Sequence, residues 1–190
     1  MSENMAPDSG LQAPGYKAPR WAWWVATGFG TGYLRPAPGT WGSLAAVGVF
    51  IFLRRLVWDW PGTWWNGWWR FGLIPAVILT WIGTLASNRV VDETGIKDPS
   101  FVVIDEWAGQ WIALIPVWLT LDLKRPPVLL DAWLLVPFIL FRLFDIWKPG
   151  VVNTLQALPR GRGIMADDVL AGIYAAIGTY AIQLGFTFFR

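Results

Sequence analysis

The last apolar segment constrains the fold most, because residues 169–189 contain no charged side chain. As an α-helix, a segment of about 20 apolar residues is long enough to cross the hydrocarbon core of a bilayer. Four further, largely apolar segments precede it, at residues 44–58, 71–87, 107–121 and 128–147. This pattern predicts an all-α fold, a compact polytopic membrane bundle of about five apolar helices. Several segments are short, so some helices are expected to be tilted or only partly inserted.

The composition supports a membrane protein and excludes several kinds of chemistry. Hydrophobic residues make up 55% of the chain, with 16 Trp and 11 Phe, and the mean hydropathy is +0.42. A net charge of only +2 gives no indication of a nucleic-acid partner. The chain has neither cysteine nor histidine, which excludes disulfides, thiolate or histidine metal sites, Ser-His-Asp triads and phosphohistidine intermediates. Chemistry must therefore depend on carboxylates, Lys, Arg, hydroxyl groups and the backbone.

The chain divides into a polar tail and one domain. Residues 1–20 are rich in Pro, Gly, Ser and Ala, so we expect a disordered tail. We do not expect a signal peptide, because no apolar stretch follows a basic start. Residues 21–190 then form a single membrane-embedded domain.

Two polar stretches flank the turn between the last two apolar segments. Residues 141–149 read Phe-Arg-Leu-Phe-Asp-Ile-Trp-Lys-Pro, and residues 160–168 read Arg-Gly-Arg-Gly-Ile-Met-Ala-Asp-Asp. Arg142 and Asp145 are three residues apart, so on a helix they share one face. The two aspartates that end the second stretch precede a long apolar run, where carboxylates cap helices. Ionisable groups at the ends of apolar helices are costly unless paired or functional, so we expect a charged site here.

A third stretch carries two adjacent carboxylates to the start of another apolar segment. Residues 101–110 read Phe-Val-Val-Ile-Asp-Glu-Trp-Ala-Gly-Gln, in which a β-like apolar tetrad precedes Asp105 and Glu106. One interpretation is helix capping by acidic residues, which is common. The other is a metal-binding or proton-transfer pair, and the carboxylates near the end of the chain favour it.

A stretch rich in glycine and proline, residues 28–43, is expected to form a compact loop. Thr40 or Ser43 could cap the helix that follows, which would leave free backbone N–H groups near Gly39 to meet an anion. The alternative is a plain structural loop with an ordinary cap.

Alternating crossings of a membrane would bring these stretches together. Residues 39–43, 88–106 and 142–168 then share one side, and the Trp-rich turn at 59–70 and Lys124-Arg125 share the other. The first side holds most of the positive charge, so the positive-inside rule makes it cytoplasmic. We expect the polar stretch 88–98 to be mostly solvated, with Asn88 and Asp92 as candidates for further roles.

The charged residues of this side suit phosphate chemistry with a hard metal ion. Carboxylate oxygens are ligands that Mg²⁺ prefers, and the candidates are Asp105, Glu106, Asp145, Asp167 and Asp168. Arg and Lys bind phosphate, and the candidates are Arg142, Lys148, Arg160 and Arg162. We interpret the set as a site for Mg²⁺-assisted phosphoryl chemistry on a lipid. A carboxylate would act either as general base for a water molecule or as a nucleophile, and the residues leave both open.

Three ordered motifs resemble the phosphatidylglycerophosphatase A family. They are the glycine-rich stretch 28–44, the Ile-Asp-Glu stretch at 104–110, and the pair of stretches at 141–149 and 163–172. The resemblance implies bacterial inner-membrane enzymes that use Mg²⁺ to convert phosphatidylglycerophosphate to phosphatidylglycerol and inorganic phosphate. The implied partners are that lipid and the bilayer, and no oligomeric state is implied.

The resemblance also implies roles for individual residues. Asp105, Asp145 and Asp168 are the implied Mg²⁺ ligands, Glu106 is a general base or an orienting group, and Asp167 is a fourth ligand or a helix cap. Lys148 completes the expected catalytic set. Arg142 and Lys148 would bind phosphate, helped by backbone N–H groups of Gly39, Thr40 and Ser43. The family usually has a pair of glycines where this chain has Gly161-Arg162-Gly163, so Arg162 is either an added phosphate contact or a tolerated change.

Two other functions compete with this interpretation. The first is another enzyme that acts on lipid phosphates, but the aspartate spacing of CDP-alcohol phosphotransferases (Asp-x-x-Asp-Gly-x-x-Ala-Arg) is absent. A small membrane transporter or scaffold protein without hydrolytic activity is the alternative from a different class. A transporter would favour ionisable groups near the bilayer midplane and internal repeats, whereas the charges here lie at the ends of apolar segments.

Overall fold

The computed structural model describes residues 15–58, 68–119, 133–155 and 157–188, and the regular elements in these ranges are all helical. The α-helices are α1 (Arg20–Ala26), α2 (Pro38–Trp58), α3 (Ile74–Thr94), α4 (Ile104–Ala113), α5 (Ile115–Leu119), α6 (Leu135–Trp147), α7 (Val151–Leu155) and α8 (Gly161–Phe188). A 3₁₀ turn at Thr31–Tyr33 and a π-helical turn at Trp68–Leu73 lie between them. The all-α prediction is confirmed for these residues.

Helix α2 begins earlier than the sequence suggested. Pro38 is its first residue, which suits proline because its φ angle is already helical and its missing N–H needs no partner there. The compact loop predicted for residues 28–43 is therefore shorter. Gly39, Thr40 and Ser43 lie in the first two turns of the helix.

The apolar tetrad before the two adjacent carboxylates is not a strand, contrary to its β-like composition. Residues 101–103 form a connection, and Ile104 is already the first residue of α4. Val102, Val103 and Ile104 are buried in the core, and the Val103 N–H donates to the carbonyl of Ala26 at 2.9 Å. Burial in the core, and not pairing in a sheet, therefore accounts for these β-branched side chains. Local residue preference cannot distinguish the two, because both favour the same residues.

Helices α3 and α8 extend further into the polar regions than predicted. α3 continues through residues 88–94 and ends before Gly95, which has a left-handed conformation and is a common helix terminator. α8 begins at Gly161, so Asp167 and Asp168 lie in its second turn and are not cap residues. The polar residues expected in loops are therefore held on regular helices.

Among the described residues, two helices are long and apolar enough to cross a membrane, at Arg70–Thr94 and Gly161–Phe186. The predicted number of about five is therefore not confirmed. The segment predicted at 107–121 is divided between α4 and α5, which are 10 and 5 residues long. Within the described residues, neither reaches the length of about 20 residues that a crossing helix needs.

Some predictions fall on residues that the structure does not describe. They are the tail at 1–20 apart from residues 15–20, the Trp-rich turn at 59–70 apart from residues 68–70, and the Lys124-Arg125 turn. These stay predictions, as does the division of the chain into a tail and one domain at residue 21. The apolar segment at 128–147 is described from residue 133 and contains α6.

Helix α4 lies at the centre of the bundle and packs against α2, α3, α6 and α8. Its contact with α8 is made by backbone atoms. A Cβ atom on Gly109 would collide with the Phe141 ring and the Asp168 carbonyl. A Cβ atom on Gly172 would collide with the carbonyl of Gly109. Glycines let two helices approach this closely, and the approach brings the starts of α4 and α8 together at one end of the bundle.

Candidate active site

The helix ends at this end of the bundle enclose a cavity of about 580 Å³. Nine of the eleven predicted site residues line it: Gly39, Thr40, Asp105, Glu106, Arg142, Asp145, Lys148, Asp167 and Asp168. Ser43 and Arg162 lie elsewhere. The structure thus brings together most of the charged residues that the sequence singled out.

Three carboxylates form a cluster in the wall of the cavity. Asp105 and Glu106 occupy the first turn of α4, and Asp168 the second turn of α8. One oxygen of each lies within 4.8 Å of those of the other two. Asp105 Oδ1, Glu106 Oε2 and Asp168 Oδ2 are buried and have no hydrogen-bond partner among the described residues. Asp145 lines the same cavity beside the cluster.

The donor set of this cluster fits a hard divalent cation. Carboxylates that lie close enough to share an ion, each with one oxygen that lacks a hydrogen-bond partner, are the ligands that such cations prefer. Buried charges are costly unless they are paired or coordinate a metal. The free oxygens of Asp105, Glu106 and Asp168 are therefore suited to hold a divalent cation.

Burial of the cluster changes its acid strength. It raises the pKa of Asp105 well above the ordinary value, and the negative charges of Glu106 and Asp168 raise it further. It also raises the pKa of Glu106, although the hydrogen bond with Asp105 and the charge of Arg142 partly offset this effect. Without a cation these two carboxyls hold protons more readily than exposed ones. A bound divalent cation reverses that preference, because its positive charge favours the ionised form.

An arginine of α6 lies next to the cluster. Arg142 Nη1 is 2.7 Å from Asp145 Oδ2, one turn along the helix, as the spacing of the two residues predicted. The same nitrogen is 3.5 Å from the Ser43 hydroxyl, which accepts its hydrogen bond and donates one to the Gly39 carbonyl at 2.9 Å. Ser43 is fully buried, so it supports the guanidinium from behind and does not line the cavity.

Gly39 gives this arrangement the room that it needs. A Cβ atom on Gly39 would collide with Glu106 Oε1 and lie 3.3 Å from Arg142 Nη1. The backbone of α2 therefore approaches both side chains directly. The N–H groups of Gly39 and Thr40 belong to the first turn, where the helix supplies no partner for them.

A second cation comes from the residue that ends α6. Lys148 Nζ is 2.6 Å from Asp167 Oδ2, and the other oxygen of this buried carboxylate has no hydrogen-bond partner among the described residues. Burial lowers the pKa of Lys148, but the hydrogen bond and charge of Asp167 outweigh it, so the pKa is raised. Lys148 is therefore positively charged at neutral pH. Its φ of 46° lies in the left-handed region that usually takes glycine at a helix end.

Two arginines at the start of α8 take different positions. Arg160 lines the cavity, and its Nη2 is 3.1 Å from Asp92 Oδ1 of α3. The Gly161 N–H also joins α8 to α3, because it donates a hydrogen bond to Asn88 Oδ1 at 3.0 Å. Arg162, the predicted phosphate contact, is exposed and lines a separate groove. The sequence pointed to both arginines, and Arg162 was the predicted phosphate contact. Which of the two faces the cavity depends on the residue at which α8 begins, and the sequence alone does not show that residue.

Known proteins related to this chain include lipid phosphatases. The sequence model of the phosphatidylglycerophosphatase A family matches residues 24–183. A phosphatidylglycerophosphatase A of Haemophilus influenzae is 37% identical over 160 residues, which are 84% of this chain and 86% of the relative. Another of Escherichia coli is 29% identical over 153 residues, 80% of this chain and 77% of the relative.

A third relative has a different name. It is a putative phosphatidylinositol-3-phosphatase of Bacteroides thetaiotaomicron, 39% identical over 156 residues, which are 80% of this chain and 87% of the relative. No solved structure matches the chain. The family match includes every residue that lines the cavity, and the chain therefore belongs to the phosphatidylglycerophosphatase A family of enzymes.

Proposed function

We propose that this protein is a Mg²⁺-dependent lipid phosphatase, which hydrolyses the terminal phosphate of phosphatidylglycerophosphate to give phosphatidylglycerol and inorganic phosphate. The observation that carries the proposal is a carboxylate cluster with free oxygens that shares one cavity with Arg142 and Lys148. Carboxylates that hold a metal ion and cations that hold phosphate are the two parts that metal-assisted phosphate hydrolysis needs. The names of two relatives suggest the substrate.

The metal ion would be held by the cluster. Asp105, Asp145 and Asp168 are the ligands expected from the resemblance, and the short distances between oxygens of Asp105 and Asp168 support two of them. Asp145 already contacts Arg142 and lines the same cavity as Asp168, so it would connect the metal ligands to the phosphate-binding side. When bound, Mg²⁺ supplies positive charge that offsets the negative charge of the phosphate oxygens.

The phosphate would be held by side chains and backbone that line the same cavity. Arg142 has five N–H donors, so it can keep its contact with Asp145 while it binds phosphate. Lys148 has three donors, of which one is directed at Asp167. The first-turn N–H groups of Gly39 and Thr40 would add to them, since helix starts bind anions.

A carboxylate would then accept the proton of the attacking water. The water oxygen bonds to phosphorus, and the bond between phosphorus and the glycerol oxygen breaks as that oxygen takes up a proton. Glu106 is the proposed base, because its carboxylate lies beside those of Asp105 and Asp168 and one of its buried oxygens has no hydrogen-bond partner among the described residues. The alternative is attack by an aspartate, which forms an acyl phosphate that water hydrolyses. Acid quenching during turnover separates the routes, since only the second labels the protein with phosphate.

We further propose that the protein is a polytopic protein of the bacterial inner membrane whose cavity faces the cytoplasm. α3 ends and α8 begins beside the cavity, where Gly161 and Asn88 are joined by a hydrogen bond. The two candidate membrane crossings would therefore leave the bilayer at this end. Lys97, Arg142, Lys148 and Arg160 also line the cavity, in agreement with the positive-inside rule.

Phosphate release from phosphatidylglycerophosphate in mixed micelles tests the proposal. We expect release by the wild type with Mg²⁺, none with EDTA and almost none by Asp105→Asn. Asp98→Asn is the matched control and should keep its activity, because Asp98 is exposed at the rim of the cavity and outside the carboxylate cluster. Release that survives EDTA would disprove the metal mechanism and leave a phosphatase.

Phosphatidylinositol 3-phosphate is the second candidate substrate, because one relative is named as its putative phosphatase. Both lipids present a phosphate monoester above a membrane surface. Measuring kcat/KM for the two lipids side by side identifies the better substrate. If neither lipid releases phosphate, the transporter or scaffold function would explain the protein better than the phosphatase function.

A further inference from the structure

A second concave surface lies on the other side of α8. It is a groove of about 420 Å³, walled by α3, by α7 and by a stripe of α8. The α8 stripe consists of Arg162, Met165, Ala166, Val169, Leu170 and Ile173. Their spacing of three and four residues defines one helix face. We call this surface the α3–α8 groove.

The walls of the α3–α8 groove are hydrocarbon apart from one charge. On the α3 side it is lined by Thr80 and Thr84, but their hydroxyls are used within the helix. Thr84 Oγ1 donates to the carbonyl of Thr80 at 2.7 Å, and Thr80 Oγ1 donates to the carbonyl of Ala76 at 2.8 Å. Threonines bonded back to their own helix present their methyl groups outward. Arg162 is the one charged residue among the described residues that line it, so the groove suits an apolar chain with an anionic group near one end.

The groove and the catalytic cavity are continuous around the start of α8. Leu158 lines both. On either side of Gly161, Arg160 lines the cavity and Arg162 lines the groove. Further along the helix, Ala166 lines the groove while Asp167 lines the cavity. A molecule with a phosphate in the cavity can therefore pass Leu158 and lay a chain along the groove.

The chemistry of the proposed substrate matches this layout. Phosphatidylglycerophosphate carries a terminal phosphate monoester, a phosphodiester nearer the membrane, and two acyl chains. The two arginines on either side of Gly161 face the two different spaces, which matches two phosphates in sequence. The groove lies between the two helices that are apolar enough to cross a membrane, where an acyl chain would already be.

We propose that the α3–α8 groove binds one acyl chain of the lipid substrate and that Arg162 pairs with the phosphodiester of its head group. The proposal rests on the proposed lipid phosphatase function and adds to it the part of the protein that selects the chain. The second acyl chain would stay in the bilayer.

Filling the groove tests the proposal. Ile173→Trp places a large side chain at a half-exposed position of the groove, and Ile177→Trp places the same side chain one turn further on α8, outside it. Kinetics are measured with a dipalmitoyl substrate in mixed micelles and with its water-soluble dibutanoyl analogue. For Ile173→Trp we expect KM for the long-chain substrate to rise roughly tenfold, about the effect of two lost buried methylene groups. We expect no change for the short-chain substrate, and no change for either substrate with Ile177→Trp.

Arg162 is tested with both substrates as well, since both contain the phosphodiester. Arg162→Gln should raise KM for both, while kcat is kept and Arg162→Lys restores most of the affinity. An unchanged long-chain KM in Ile173→Trp would overturn the chain site, and so would an equal rise in Ile177→Trp, which would indicate ordinary bilayer lipid along α8. An equal loss with the short-chain substrate would overturn it too, because the effect would not depend on the chain. A wild type that hydrolyses neither substrate would instead refute the phosphatase function itself.

Discussion

Lys148 reaches Asp167 from a backbone conformation that favours glycine. Its Nζ lies 2.6 Å from Asp167 Oδ2 while its own φ is 46°. A left-handed conformation costs a residue with a Cβ atom about 1–2 kcal/mol. The chain accepts this strain at the end of α6, where an ammonium group enters the cavity.

We expect Lys148→Gly to be more stable than Lys148→Ala by about 1 kcal/mol. Both variants lose the ammonium group, and only glycine relieves the backbone. Chemical unfolding of the solubilised protein measures the difference. Gly150, which has a φ of 54°, is the control, and Gly150→Ala should lose a similar amount. Equal stability of the two variants at position 148 would contradict the strain.

We expect Asp105→Asn to stabilise the metal-free protein while it removes activity. The substitution keeps the shape of the side chain and removes a negative charge that burial, Glu106 and Asp168 make costly. Activity should fall by at least about 100-fold, since the loss of even an outer partner of a metal ligand costs about 10–100-fold. Thermal unfolding in EDTA and phosphate release report the two effects. A metal-free variant less stable than the wild type would show that the carboxylate is a structural partner.

The metal-free protein should lose stability as the pH rises from acidic to neutral. The pKa of Asp105 and that of Glu106 are raised in the folded state, so between the unfolded and folded values the folded protein binds more protons than the unfolded one. Stability falls with pH wherever the folded state binds the extra protons. Melting temperatures across this range in EDTA check the sign. Mg²⁺ should raise the melting temperature most at the higher pH, and a metal-free melting temperature that rises with pH would contradict the argument.

Gly109→Ala and Gly172→Ala should each destabilise the protein by about 1–3 kcal/mol or more, the usual cost of overpacking a core. The added Cβ would push α4 and α8 apart, so activity should fall as well. Gly185→Ala is the control on α8, because nothing lies within 4 Å of its added Cβ. It should be neutral or stabilising, as alanine favours helices over glycine by about 1 kcal/mol. Equal effects at all three positions would exclude the close contact as the cause.

The sequence could single out most residues of the candidate site because ionisable side chains are concentrated in a few stretches. Carboxylates and cations beside apolar segments are rare and costly, so their positions alone pointed to one end of a bundle. The pairing of Arg142 with Asp145 followed from helical spacing. The cavity contains both residues, together with Asp105 and Asp168.

Other features depend on where helices begin, which local sequence does not decide. Arg160 and Arg162 are separated by one residue. Because α8 begins at Gly161, Arg160 lines the cavity and Arg162 lines the α3–α8 groove. Ser43 was expected to meet an anion, but the early start of α2 turns it towards Arg142 and the interior. The predicted number of membrane crossings is not confirmed among the described residues, and apolar composition does not distinguish the buried α4 from a helix that faces lipid.

The contact between Gly109 and Gly172 also bears on how such an enzyme can diverge. A spacing that depends on two missing side chains cannot be adjusted by small steps, because the smallest possible substitution is already too large. Even an alanine at either glycine would therefore change the distance between the acidic residues of α4 and α8. We expect changes in substrate preference to come from positions that tolerate variation, such as the exposed Arg162 at the start of α8.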